Sequence, residues 1–236
     1  MTLAELLNAI YENRQPFWAA HFEEWVRASR RFRAFAELYR DKIRKKLRNC
    51  SDEACLKDLY CELETAYHLL SDQRFTLEYE KYGYLKQRGS DFTVAFRVNT
   101  IFNVEVTRIR PTEMTQPDSE DKNTRFRKVV DAVCGKLGQM PAGIINILVL
   151  DSYFPLNDLE LTQMLTDLRE RAEAKQNDFF IRQGFRDSAD FTRQFRHFSG
   201  LVVQDDLDGT PVFWQNNSAK HILSKELSNA LKKVFL

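Results

Sequence analysis

Hydrophobic residues in the first part of the chain recur at helical spacing. The spacing is three, four or seven positions for Trp18, Phe22, Trp25, Phe32, Phe35, Tyr39, Ile43 and Leu47. No glycine precedes position 83 and the only proline before it is Pro16, so little in this segment would break a helix. We therefore predict a long helix, bent near Ser29 and ending around Asn49. A second helix should begin near Ser51 and continue to Leu70.

The hydrophobic period changes to two in the next segments. Apolar residues occupy every second position from Phe75 to Tyr79, from Phe92 to Val98 and from Phe102 to Val106, which predicts half-buried strands. The short Asn99-Thr100 connection predicts a hairpin between the second and third of these strands. The apolar run from Ile144 to Leu150, in which Asn146 is the single polar residue, indicates a strand that is covered on both faces.

The remaining pattern mixes helices and strands. Helical spacing predicts helices over 126–137, 157–172 and 222–234; strand patterns at 201–203 and 212–214 flank a DDLDG turn, and the proline-containing segment 111–124 predicts a loop. This order favours an α/β fold with a mixed central sheet flanked by helices. We assign residues 1–50 to a helical N-terminal extension and residues 51–236 to the α/β domain.

Composition excludes several classes of protein. Hydrophobic residues make up 43% of the 236 residues, which excludes an intrinsically disordered chain. The net charge of +1 excludes a globally basic nucleic-acid binder. The sequence contains no apolar run of membrane-spanning length and no signal-peptide pattern, so we expect a cytoplasmic location and no membrane partner. The cysteines Cys50, Cys55, Cys61 and Cys134 form no C-x-x-C pair, and we expect reduced thiols.

Acidic residues occupy the polar faces of two predicted strands. By alternation, Asp91 lies on the face opposite Phe92, and Glu105 on the face opposite Val104, so both carboxylates can lie on one side of the sheet. Carboxylates this close need a cation or a raised pKa, and Mg²⁺ suits one or two carboxylates plus a substrate phosphate. The alternative is a solvated sheet face whose acids perform no chemistry.

The order of these acids resembles the PD-(D/E)-x-K nuclease superfamily. In that family an Asp begins one strand, the next strand carries Glu-x-Lys, and a Glu often comes from the preceding helix. The matching positions are Asp91, Glu105 and Glu62, within a similarity spanning roughly 56–153, and the C-terminal VFWQNNSAK segment looks like bacterial proteins of that kind. The resemblance implies phosphodiester hydrolysis with Mg²⁺ or Mn²⁺ held by Asp91, Glu105 and the backbone carbonyl of Val106, and with Glu62 supporting the metal through water.

The lysine of that motif is missing. Thr107 occupies its position, and a neutral hydroxyl can do little to activate water or offset phosphate charge. Ser90 also replaces the family's proline before Asp91. Arg108 should lie on the opposite strand face, whereas Lys128 on the next helix could reach the site. A catalytically inactive nucleic-acid or protein binding module on the same fold therefore remains the alternative function.

Basic residues are concentrated in the first long helix. The segment from Arg27 to Arg48 contains ten Lys or Arg residues and two acids, a local charge of +8. Such a segment favours sequence-independent contact with phosphates, so we expect DNA as a partner. The predicted contacts are Arg40, Arg44, Lys45, Lys46 and Arg48. The alternative is a solvated helix face whose long side chains cover apolar surface.

Overall fold

A six-stranded mixed sheet forms the centre of the protein. The computed structural model describes residues 1–81, 89–111, 121–205 and 210–236. The strands, in chain order and also in spatial order, are β1 (Phe75–Tyr79), β2 (Phe92–Phe96), β3 (Thr100–Arg108), β4 (Ile145–Ser152), β5 (Gly200–Asp205) and β6 (Val212–Gln215). The pairs β3/β4 and β4/β5 are parallel, and the other neighbouring pairs are antiparallel. The predicted α/β fold with a mixed sheet is confirmed.

Helices cover both faces of this sheet. One layer contains α1 (Leu3–Tyr11), α2 (Ala19–Ala28), α3 (Arg30–Asn49), α4 (Glu53–Ser71) and α9 (Lys225–Phe235). The other contains α5 (Lys122–Leu137), α6 (Asp158–Glu173), α7 (Asn177–Arg182) and α8 (Ser188–Phe195). Among these helices, none combines the length and hydrophobicity needed to cross a bilayer. The predicted helices leave out α1, α7 and α8. The six-residue α7 is too short to repeat the helical period, whereas Leu3, Leu6, Leu7 and Ile10 of α1 do show it.

Strand alternation divides the core into two hydrophobic clusters. Phe92 of β2 and Val104 of β3 face the helical layer that includes the N-terminal helices. In β4, Val149 faces the same layer while Leu148 and Leu150 face the opposite one. The strand β4 is therefore buried on both sides, as the apolar run in its sequence predicts.

The N-terminal helices follow their predicted boundaries closely. The predicted bend at Ser29 is a break, because the Ser29 hydroxyl accepts a hydrogen bond from the amide three residues later and starts α3. As predicted, α3 ends at Asn49. The N-cap of α4 is Asp52 rather than Ser51, since the Asp52 carboxylate accepts a hydrogen bond from the Cys55 amide in the first turn at 2.7 Å. These helices share a hydrophobic cluster with the sheet.

The expectation of four reduced cysteines is wrong for one pair. Cys50, directly after α3, forms a disulfide with Cys55 in the first turn of α4. The chain reversal between the two helices brings their Cα atoms to 5.2 Å, a separation suited to a disulfide. Cys61 and Cys134 are buried and carry no disulfide.

Two sequence predictions fall mostly on residues outside the described ranges. These are the predicted loop over 111–124 and the DDLDG turn.

Candidate active site

The site lies where β2 ends and β3 continues. The last residue of β3 that pairs with β2 in the described structure is Val104, so the following part of β3 borders an open edge. Asp91, directly before β2, fills this edge, and its Oδ2 accepts a hydrogen bond from the Val106 amide at 2.7 Å. The N–H and C=O groups of one strand residue point to the same side, so the Val106 carbonyl is also directed towards the side of Asp91.

Three carboxyl groups converge on this edge. Asp91 interacts with Glu105 of β3 and with Glu62 of α4. The helix α4 packs on the sheet face opposite the one that carries Glu105. Burial, and then the negative charge of Glu105, raises the pKa of Asp91 to about 6. Burial, and then the charge of Asp91, raises the pKa of Glu62 to about 7. Burial also raises the pKa of Glu105. The three predicted acids therefore form one destabilised anionic cluster.

Two lysines border this cluster. Lys136, in the last turn of α5, places its Nζ 3.1 Å from Glu105 Oε2. Lys46 of α3 places its Nζ 2.6 Å from Glu62 Oε2 and 2.7 Å from Glu80 Oε1. The Tyr79 hydroxyl also donates a hydrogen bond to Glu62. Both lysines oppose the rise in carboxyl pKa, yet the pKa values stay raised because burial outweighs these charges.

A pocket of about 300 Å³ opens in front of the carboxylates. Glu62, Asp91, Val106 and Thr107 line it together with Lys136. The structure thus brings Glu62, Asp91, the backbone position Val106 and Thr107 to one cleft. Glu105 does not line the cleft, but it interacts with two residues that do, Asp91 and Lys136.

Lys136 is the functional candidate that the sequence pattern missed. It occupies the side of Glu105 on which the motif lysine was expected, although it comes from α5 rather than from position 107. Its only sequence signal is a charge between Val133 and Leu137, two residues of the buried stripe of α5. Such lysines are common at helix ends, so proximity to Glu105 had to come from the fold.

Two other cations differ from their predicted placement. Lys128, on the same helix, directs its Nζ to the Tyr153 hydroxyl and is not among the residues lining the pocket. Arg108 does line the pocket, although strand alternation separates it from Glu105. It reaches there because its Nε pairs with Asp58 Oδ1 of α4 at 3.1 Å.

The acidic face of the strands is not solvated. Glu105 is only 4% exposed, and its neighbours Thr93 and Asn103 on the same sheet face are equally buried. The Oε1 atom of Glu105 is buried and has no hydrogen-bond partner among the described residues. A buried carboxylate oxygen without a donor is costly. The burial of Glu105 is contrary to the alternative in which this acid decorates a hydrated surface.

The oxygen atoms at this site fit a divalent cation that takes only a few of its ligands from the protein. Among the described residues, no three His, Cys, Asp or Glu side chains are arranged as a metal-binding group. Mg²⁺, however, is usually held by only one or two carboxylates together with water and phosphate oxygens. Asp91, Glu105 with its unpartnered Oε1, and the Val106 carbonyl offer that smaller set.

The basic helix does not present one continuous stripe. At 100° per residue, Lys46 lies on the side of α3 opposite Arg44 and Arg48, and it points into the carboxylate cluster. Arg44 pairs with Asp41 and Glu12, and Arg40 also pairs with Asp41. Lys45 and Arg48 are exposed and make no ion pair with the described residues. Of the five predicted DNA contacts, only these last two remain both exposed and without an ion pair in that part of the chain.

Comparison with known protein families gives a match over part of the chain. A family model described as PHAT matches residues 86–184, which is less than half of the chain. This segment contains Asp91, Glu105 and Lys136 but lies after Glu62. Searches of curated proteins and of solved structures find no match.

Proposed function

We propose that this chain is a nuclease-like protein that hydrolyses phosphodiester bonds of DNA with the help of Mg²⁺ or Mn²⁺. The observation that carries the proposal is that Glu62, Asp91 and Lys136 line one pocket, and that the buried Glu105 interacts with both Asp91 and Lys136. The resemblance to PD-(D/E)-x-K nucleases supports the same assignment. A bound divalent cation would polarise the phosphate and lower the pKa of a bound water.

In this proposal the acids hold and orient the divalent cation. Asp91 and Glu105 supply carboxylate oxygens next to the Val106 carbonyl, and Glu62 supports the site from α4. The Val106 amide donates a hydrogen bond to one carboxylate oxygen of Asp91. This bond also fixes the orientation of the other oxygen, because both belong to the same planar carboxylate. Lys46 and Tyr79 hold Glu62 in place. This hydrogen bonding preorganises the carboxylates, so little rearrangement is needed when a cation enters.

Lys136 takes the role that Thr107 cannot perform. Its ammonium group lies at the pocket beside Glu105, where it can donate a hydrogen bond to the attacking water and offset charge that develops on the phosphate. A lysine delivered by α5 therefore answers the main departure of this sequence from the family pattern. That placement favours an active enzyme over the inactive binding module.

The test compares two lysines of the same helix. Lys136→Met should lower Mn²⁺-dependent cleavage of supercoiled plasmid about 10²- to 10⁴-fold, the usual contribution of a general acid–base group. Lys128→Met is the matched control and should cleave like the wild type, because Lys128 contacts Tyr153 instead. Manganese binding, measured by calorimetry, should survive in both variants and disappear in Asp91→Ala.

The outcomes separate the two candidate functions. Wild-type protein that binds Mn²⁺ and DNA without cleaving any phosphodiester would favour the inactive binding module. Wild-type protein that binds no divalent cation would overturn the proposed site. Equal activity in the Lys136 and Lys128 variants would remove Lys136 from the mechanism.

A further inference from the structure

A pair of arginines lines the pocket at the end of β3. Arg108 and Arg110 both line the pocket, and both guanidinium groups pair with the single carboxylate of Asp58. Arg108 is almost fully buried and also donates to the Ala54 carbonyl at 3.2 Å, so its position is fixed. Arg110 is different, because its side chain is 60% exposed and Asp58 is its ion-pair partner.

The arrangement leaves positive charge available to a ligand. Two guanidinium groups share one carboxylate, so Asp58 neutralises only one of them. Arg108 holds Asp58 from the buried side, whereas the side chain of Arg110 lines the pocket and is 60% exposed. Guanidinium groups bind phosphate oxygens through paired N–H donors, and they are the preferred side chains for this recognition.

The position of the pair next to the acids indicates which ligand it takes. Free carboxylates would repel a phosphate from this pocket, so a nucleic-acid strand needs cationic groups beside them to enter. We infer that Arg110, oriented by Asp58 and Arg108, binds a backbone phosphate of the DNA. This phosphate is the neighbour, on the same strand, of the phosphate that lies at the carboxylates. This inference rests on the proposed function and adds a substrate-positioning residue to the site.

The experiment measures the affinity of a fluorescent single-stranded DNA oligonucleotide as a function of salt, with Ca²⁺ present to limit cleavage. Arg110→Gln should weaken binding and reduce the slope of log affinity against log salt by about 0.7, the value for one phosphate contact on a single strand. Arg97→Gln is the matched control. Arg97 is 57% exposed and pairs with Glu226, but it lies in the β2–β3 turn at the opposite end of β3.

Fold and metal site are monitored in the same variants. Because Arg110 is exposed, Arg110→Gln should keep the wild-type unfolding midpoint and the wild-type thermal shift with Mn²⁺. A salt slope equal to that of the wild type, or an equal loss in Arg97→Gln, would overturn the phosphate site, as would a wild type that binds no oligonucleotide. A missing Mn²⁺ shift in the wild type, with Arg110 still required for DNA binding, would overturn the proposed catalysis alone.

Discussion

Replacing Asp91 by Asn should stabilise the metal-free protein at pH 8 and destroy its response to metal. Asparagine keeps an acceptor for the Val106 amide and removes the charge that Glu62 and Glu105 repel. The folded pKa of Asp91 is about 6 against an ordinary value of 3.8. At about 1.4 kcal/mol per pKa unit, ionising this buried carboxyl costs the folded state about 3 kcal/mol at pH 8.

The sign of the pH dependence follows from the raised pKa. The folded chain binds the proton of Asp91 more tightly than the unfolded chain does, so the stabilising effect of that proton is fully present below about pH 4. It is lost as the pH rises through about 6. The wild type in chelator should therefore lose stability over this interval, and Asp91→Asn should lose less. The neighbouring lysines also lose an attractive charge in the variant, so we expect a gain of about 1–3 kcal/mol at pH 8.

Urea unfolding followed by tryptophan fluorescence measures this difference, since Trp18 is fully buried. In chelator at pH 8 the variant should unfold at higher urea than the wild type, and near pH 4 the two should converge. Manganese at about 1,000 times its dissociation constant should add about 4.1 kcal/mol to the wild type and nothing to the variant, which reverses the order.

Asp190→Asn provides a control of opposite sign. Hydrogen bonds, first from the Arg186 amide, lower the pKa of Asp190 to about 2, and this carboxylate lies away from the pocket. Its replacement should destabilise the protein at pH 8 and leave the Mn²⁺ response intact. A metal-free Asp91→Asn protein that is less stable than the wild type at pH 8 would refute the reasoning, and so would an equal Mn²⁺ shift in both.

Three further predictions concern other parts of the molecule. In a Lys136→Met background, Thr107→Lys should restore part of the Mn²⁺-dependent cleavage, because residue 107 shares a strand face with Glu105; no recovery would show that α5 geometry is essential. Thiol labelling of unfolded, unreduced protein should modify Cys61 and Cys134 alone, and four labels would contradict the Cys50–Cys55 disulfide. Replacing both Lys45 and Arg48 by Gln should reduce the salt slope of duplex DNA binding by about 1.8, and an unchanged slope would remove α3 from the DNA contact.

Local patterns in the sequence determined most of the secondary structure. The apolar run 144–150 became a strand buried on both faces, and the spacing of aromatic residues defined helices broken at Ser29 and ended at Asn49. Alternation also placed Glu105 on the strand face opposite Val104, as the structure has it. These features depend on neighbours two to four positions apart, which a single sequence displays directly.

Contacts between distant segments could be decided only by the tertiary structure. Lys136 reaches Glu105 across 31 residues because α5 packs over the polar face of β3, and Lys46 reaches Glu62 because α3 and α4 reverse direction at the Cys50–Cys55 disulfide. The same packing buried a strand face that polarity alone would have left in water, and it placed the Lys46 side of α3 against the carboxylates. Hydrophobic period records which face of an element is buried, but not which charged side chain of another element lies across from it.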